Sequence, residues 1–159
     1  MALPPLLVCT TEEEYRVHYE QTYCRGGIVT FDNIRVYFKK EKFLHAFYES
    51  SKRDRVKDRF SSERASRMNW IADTLCSPDA TLYMGWDKSK GRYDAANRVS
   101  VIYEDFVVII RLSLINAENL KGDFVTCYQA DNSIEKIRKS PKWNYESCVK
   151  ILAKKKAAD

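Results

Sequence analysis

Apolar residues recur at helical spacing along the first half of the chain. In the most regular stretch, Met68, Ile71 and Leu75 follow an i, i+3, i+7 pattern, which places them on one face of a helix. The sequence Ser77-Pro78 then ends that helix, because proline cannot continue it. The pattern predicts helices over residues 12–23, residues 39–50, and from Ser61 or Ser62 to Cys76.

The second half of the chain is dominated by β-type patterns. Residues 106–114 are almost continuously apolar and rich in β-branched side chains, which is typical of a central strand. Earlier in the chain, two short strands at residues 28–31 and 34–38 flank the turn dipeptide Asp32-Asn33. Further strands are predicted at residues 80–86, 98–103 and 123–128, and short helices at residues 132–139 and from Trp143 onwards.

The order of these elements predicts an α+β fold, with N-terminal helices packed on one side of a four- to five-stranded antiparallel sheet. The polar residues 87–97 are expected to form a loop between two strands. On the last strand, the period of two places Phe124, Thr126 and Tyr128 on one face. The 159 residues fit one domain, and 45% hydrophobic residues suffice for its core.

Charge adds information because its distribution is uneven. The 27 basic and 22 acidic residues leave a net charge of +5, and the basic residues gather in residues 52–67 and 136–156. This arrangement favours an acidic partner such as nucleic acid. Three acidic residues also lie in the first basic segment, so a solvated surface is the alternative interpretation. The candidate RNA-binding residues of that segment are Lys52, Arg53, Arg55, Arg64 and Arg67.

The five cysteines include no Cys-x-x-Cys pair and no Cys/His spacing typical of zinc, so no metal site is predicted. Their odd number favours a reducing, cytoplasmic compartment. No run of about 18 apolar residues could cross a membrane, and prolines occupy the place of a signal-peptide core. We therefore expect a cytoplasmic protein without a membrane segment.

Missing motifs argue against several enzyme classes. The chain has no glycine-rich phosphate loop and no Gly-x-Ser-x-Gly nucleophile turn. It also lacks a strand in which lysine follows an acid by two residues, as a metal-dependent nuclease would need. Metal-independent chemistry remains, and cleavage of RNA by its own 2′-hydroxyl requires only a base, an acid and cations.

Candidates for that chemistry are present. His45 lies on a predicted helix directly before the basic segment, and Thr126 and Tyr128 lie on the last strand. His45 beside aromatic residues also fits an ordinary position at the border of a core, and Thr126 is a good strand former. His18 lies in the acidic first helix and is the weaker histidine candidate.

Three segments together resemble a group of phage- and toxin-associated nucleases. The strand Ile34–Phe38 followed by Phe-Leu-His-Ala-Phe (residues 43–47) resembles a strand that leads into a helix carrying Phe-x-His-x-Phe. Residues 67–79 resemble the second helix of the group, which ends in Pro-Asp, and residues 124–128 resemble its last strand. The similarity covers about residues 34–131 and points to the barnase, EndoU, colicin and RelE-like superfamily.

The resemblance implies a single domain, with a nuclease-like core over about residues 34–131 and extensions at both ends. It implies cleavage of tRNA or mRNA without metal or cofactor, by the toxin of a toxin–antitoxin or phage-defence pair, and a protein antitoxin or inhibitor as partner. His45 would be the general acid or base, Thr126 would orient the scissile phosphate and Tyr128 would assist. The basic partner stays open among Arg98, Arg111, Arg53 and Arg67.

Two other functions fit the same sequence. A non-catalytic module of the same fold would bind RNA or protein through its basic surface and through aromatic residues at Tyr37, Tyr83, Trp86 and Tyr93. An interaction protein would instead dock another chain on that aromatic surface, with association that salt does not weaken.

Overall fold

The computed structural model describes residues 3–52, 54 and 56–158, so Arg53 and Arg55 lie outside the described residues. Short helices alternate with short strands in the first half, and four longer strands follow. In chain order the elements are α1 (Glu12–Thr22), β1 (Ile28–Val29), β2 (Arg35–Tyr37), α2 (Lys42–Phe47), β3 (Tyr48–Glu49), β4 (Arg59–Phe60), α3 (Ser62–Ala65), α4 (Asn69–Cys76), β5 (Thr81–Asp87), β6 (Arg92–Tyr103), β7 (Phe106–Leu114), β8 (Leu120–Gln129), α5 (Ile134–Arg138) and α6 (Tyr145–Ala158).

The main sheet has six strands in the order β1-β2-β8-β7-β6-β5, and β3 pairs with β4 separately. The α+β class is confirmed, but the prediction of a four- to five-stranded antiparallel sheet is wrong. The hairpin of β1 and β2 joins the edge of the sheet, where β2 runs parallel to β8. Local turn chemistry predicts such a hairpin but contains no information about its distant partner strand.

Side-chain caps fix where the first helices begin. The Thr11 hydroxyl accepts a hydrogen bond from the Glu14 N–H at 3.2 Å, and the Glu14 carboxylate accepts one from the Thr10 N–H. Ser61 caps α3 in the same way through the Arg64 N–H. These hydrogen bonds satisfy N–H groups that would otherwise lack partners at a helix start.

The helix predicted from Ser61 or Ser62 to Cys76 is broken into α3 and α4. Between them the backbone bonds shorten to the i−3 pattern, and the Ser66 hydroxyl donates to the Glu63 carbonyl at 2.7 Å. A serine that bonds back to its own helix competes with the regular helical ladder. Met68, Ile71 and Leu75 are nevertheless fully buried, as their spacing predicts.

The larger hydrophobic cluster lies on one face of the sheet, called here the helix face. Tyr19 of α1 packs its ring against Phe43 and Phe47 of α2, and Phe38 stacks on Phe124 of β8 at 4.8 Å. Helices α4 and α6 contact β6 and β7. Residues before Ile34 and after Asp131 therefore belong to the same core as the rest of the chain.

A second, smaller cluster lies on the other face. It contains Tyr83, Ile102, Val107 and Ile109, and α5 packs on it through Ile134 and Ile137. Because α5 has only five residues, it covers one end of this face.

Candidate functional site

A β-bulge in β8 determines which candidates face outwards. Ile110 pairs with Phe124 and Ile109 pairs with Thr126, so Val125 is an extra residue in the strand. Paired residues of neighbouring strands project to the same face. Ile109 belongs to the second cluster, so Thr126 projects to that face, whereas Phe124 is buried on the helix face.

The prediction that Phe124, Thr126 and Tyr128 share one face is therefore wrong. Tyr128 pairs with Val107 of the second cluster and shares a face with Thr126, but Phe124 does not. A strict period of two fails across a bulge, because two residues oppose one residue of the partner strand. The bulge keeps Phe124 in the helix-face core and places Thr126 on the other face.

Two arginines accompany Thr126 and Tyr128, one placed by strand alternation and the other by the reach of its charge. Arg111 lies between Ile110 and Leu112, which are buried on the helix face, and Arg111 itself is exposed. Arg98 is exposed in the irregular part of β6, and its charge reaches both Tyr128 and His45. The alternation of strand residues places Arg111 on the face opposite the helix face, which is the face of Thr126. This surface, called here the open face, consists of Arg98, Arg111, Asp123, Thr126 and Tyr128.

Local backbone structure holds Arg98 in place. A Cβ atom at Gly85 would lie 2.6 Å from the Arg98 Cγ and 2.5 Å from its carbonyl oxygen, so the arginine stem occupies space that only glycine leaves free. The Asp94 carboxylate accepts hydrogen bonds from the Ala96 and Asn97 N–H groups at 2.7 and 2.6 Å. This turn shapes the irregular segment of β6 that leads into Arg98.

Helix α2 borders the open face along β8. Beyond Tyr37 the strand β2 ends, and α2 contacts β8 in its place. Lys42, at the start of α2, lines a small pocket of about 100 Å³ together with Arg111 and Asp123. Phe43, Ala46 and Phe47 are buried, whereas His45 is exposed on the other side of the helix.

The electrostatic environment of His45 favours its neutral form. Partial burial lowers the pKa of His45 below its ordinary value, and the positive charges of Lys42, Lys57 and Arg98 lower that pKa further. Arg98 thus acts on His45 although the two residues belong to different elements. A neutral imidazole can accept a proton, so this environment suits a general base.

The pKa of Tyr128 is shifted in the opposite direction to that of His45. Burial raises the pKa of its phenol above the ordinary value, and the charge of Arg98 opposes that shift in part. The phenol is therefore protonated at neutral pH and can donate its proton. Arg98 acts on the pKa of both Tyr128 and His45, which links a potential acid and a potential base to one cation.

A cleft of about 190 Å³ lies beside Tyr128 on the side of α3. Arg67 donates to the Glu63 carbonyl oxygen at 2.6 Å, and its guanidinium lies 5.3 Å from the centre of the Trp70 ring. Its Nε is buried and has no hydrogen-bond partner among the described residues. The lining residues are Glu49, Ser61, Glu63, Arg64, Arg67, Phe106, Cys127, Tyr128, Gln129 and Asp131.

The predicted RNA-binding residues are thus distributed over different places. Arg64 and Arg67 line the cleft, while Lys52 is exposed in the connection between β3 and β4, away from the cleft lining. Arg53 and Arg55 lie outside the described residues. His18 has a structural partner, since its Nε2 lies 2.7 Å from the Asn69 Oδ1 and joins α1 to α4.

Sequence reasoning did not single out Gly85, and it included Lys57 only as one charge in a basic run. Gly85 lies inside the strand predicted over residues 80–86, and an isolated glycine in a strand indicates close approach of another part of the chain. The effect of Lys57 on His45 depends on the return of the chain after β3, for which the sequence offers no local signal.

Within the described part of the chain, no three His, Cys, Asp or Glu side chains group in a way that could hold a metal ion. The described helices include none with the length and apolarity needed to span a membrane. Known protein-family models, curated proteins and solved structures give no significant match to this chain.

Proposed function

We propose that this protein is a metal-independent endoribonuclease whose active site is the open face together with His45. The observation that carries the proposal is the strand register, which brings Arg111, Thr126 and Tyr128 to one face beside α2, where the charge of Arg98 also reaches Tyr128 and His45. The resemblance to the barnase, EndoU, colicin and RelE-like superfamily supports the same function. It adds a cytoplasmic, toxin-like role against tRNA or mRNA, with a protein antitoxin as partner.

The proposed reaction uses the RNA 2′-hydroxyl as nucleophile. Neutral His45 removes the hydroxyl proton while the 2′-oxygen forms a bond to phosphorus. The bond from phosphorus to the 5′-oxygen breaks, and that oxygen takes a proton from the phenol of Tyr128. The products are a 2′,3′-cyclic phosphate and a 5′-hydroxyl end. Exchange with water then removes the extra proton from His45 and returns one to Tyr128, so that both side chains regain their starting states.

The remaining residues of the open face stabilise the charge that develops on phosphate. Arg98 and Arg111 supply positive charge, and a planar guanidinium matches two phosphate oxygens at once. The Thr126 hydroxyl donates a hydrogen bond to a non-bridging oxygen and fixes the position of the phosphate. Donors aimed at developing charge commonly provide the largest single contribution to catalysis.

The pH profile of cleavage should reveal the neutral form of His45. Because the pKa of His45 is lowered, kcat/KM should stay high at neutral pH and fall only as pH drops below 6.5. In Lys57→Gln one positive neighbour is lost, the pKa of His45 rises, and the acidic limb should move to higher pH. Lys150→Gln, on α6, is the matched control and should leave the limb unchanged. An acidic limb that does not move in Lys57→Gln would contradict the assignment.

Digestion of total RNA in the presence of EDTA tests the proposed class of reaction. Wild-type protein should produce fragments at the same rate with and without the chelator, and His45→Ala prepared in parallel should produce them far more slowly. The parallel variant shows that fragments come from this chain and not from a contaminating nuclease. Complete loss of wild-type cleavage in EDTA would refute the proposal.

A further inference from the structure

The hairpin between β5 and β6 exposes two aromatic side chains outside the proposed active site. Trp86 is 49% exposed and Tyr93 is 38% exposed. They pair across the hairpin, with ring centroids 5.1 Å apart and planes at 79°. The edge-to-face contact orients the two rings while leaving aromatic surface in solvent.

Positive charge surrounds this aromatic pair. Lys88, Lys90 and Arg92 are all exposed at the hairpin tip. One carboxylate oxygen of the nearby Asp87 accepts hydrogen bonds from the Ser89 hydroxyl and N–H and from the Lys90 N–H. Three cations against this one acid leave the tip with net positive charge beside exposed rings.

A groove connects the hairpin tip to the proposed active site. It measures about 450 Å³, and its lining residues are Trp86, Asp87, Lys88, Ser89, Asn97 and Arg98. Arg98 is the cation that acts on both His45 and Tyr128. A chain of phosphates held at Arg98 can therefore continue along the groove towards Trp86.

We propose that the β5–β6 hairpin is a binding arm for single-stranded RNA, on which a base next to the cleaved nucleotide stacks against Trp86. Lys88, Lys90 and Arg92 contact the phosphates of the same strand. Exposed aromatic rings between cations bind single strands in this way because every base has a π face, whereas a base in a duplex is already stacked. The position of this arm relative to the cleavage site rests on the proposed function.

Binding of an uncleavable strand tests the arm without requiring catalysis. The probe is a fluorescent single-stranded oligonucleotide of about 12 nucleotides, with every ribose 2′-O-methylated so that no 2′-hydroxyl can attack. Fluorescence anisotropy gives its Kd for the full chain. Trp86→Ala should weaken binding by about 5- to 100-fold, the loss expected when one stacked base loses its aromatic ring.

Two further variants make the result specific. Trp86→Phe retains an aromatic face and should recover most of the affinity, and Ile151→Ala removes an equally exposed apolar side chain on α6 and should change nothing. Unchanged affinity in Trp86→Ala would overturn the proposal that this hairpin binds RNA. Failure of the wild type to bind the probe at low salt would also overturn it.

Failure of the arm and failure of the proposed function are distinguishable. If Trp86→Ala binds like wild type while wild type still cleaves RNA, the arm is wrong and the nuclease proposal stands. If the probe binds through Trp86 while wild type cleaves no RNA, the arm stands and the chain is a binding module of the same fold.

Discussion

Replacing His45 by alanine is expected to lower kcat for RNA cleavage by about 10²- to 10⁴-fold, the usual loss when a positioned general base is removed. Single-turnover cleavage of a labelled RNA at neutral pH measures this change directly. KM should change little, because His45 touches the reacting hydroxyl and contributes little to binding of the strand. The residual reaction should lose the acidic limb that the pKa of His45 imposes.

His18→Ala is the matched control for this prediction. It removes the only other histidine of the chain, whose partner is Asn69 and which lies outside the open face. We expect a small loss of thermal stability and an unchanged rate of cleavage. If His45→Ala cleaves at the wild-type rate, or if both histidine variants lose activity equally, His45 is not the base.

Replacing Phe124 by alanine is expected to lower the free energy of unfolding by about 3–5 kcal/mol, as for other fully buried phenylalanines. Phe124 is 1% exposed and stacks on Phe38 with the ring planes at 26°. The change therefore leaves a cavity between β8 and the segment that leads into α2. Urea denaturation monitored by circular dichroism measures the loss.

Phe31→Ala provides the comparison for the core prediction. Phe31 is 40% exposed, so its removal should cost far less stability than removal of Phe124. A loss below about 1 kcal/mol for Phe124→Ala would show that β8 does not bury this residue. That result would also contradict the bulge at Val125, because without the bulge Phe124 and Thr126 would share a face.

Helix starts, strand runs and turns could be predicted because their causes are local. Thr11 and Ser61 cap helices as the sequence indicates, and residues 106–114 form β7 with the predicted bounds. The pairing of distant strands has no local cause, so the sequence does not predict that β2 lies beside β8. The polar residues 87–97, predicted as a loop, instead extend β5 and β6 into a hairpin, because cross-strand partners outweigh local polarity.

In the candidate site, too, the residue types can be predicted from the sequence, whereas their arrangement depends on contacts between distant segments. Residue chemistry and the resemblance point to His45 and Thr126, and they offer Arg98 and Arg111 as two of several possible cations. Alternation along single strands could not show that Thr126 shares a face with Arg111, because the bulge at Val125 reverses the pattern. Gly85 leaves space for the Arg98 side chain, and the charge of Lys57 lowers the pKa of His45. Both effects depend on how segments that are distant in sequence pack together.

The chemical nature of the cleaved ends tests the central claim most directly. A defined single-stranded RNA is digested in EDTA, and mass spectrometry identifies the ends of the fragments. Attack by the 2′-hydroxyl predicts a 2′,3′-cyclic phosphate on one fragment and a 5′-hydroxyl on the other, and no cleavage where the ribose is 2′-O-methylated. Fragments with a 3′-hydroxyl and a 5′-phosphate would show that water attacks the phosphate directly, which would contradict the roles assigned to His45 and Tyr128.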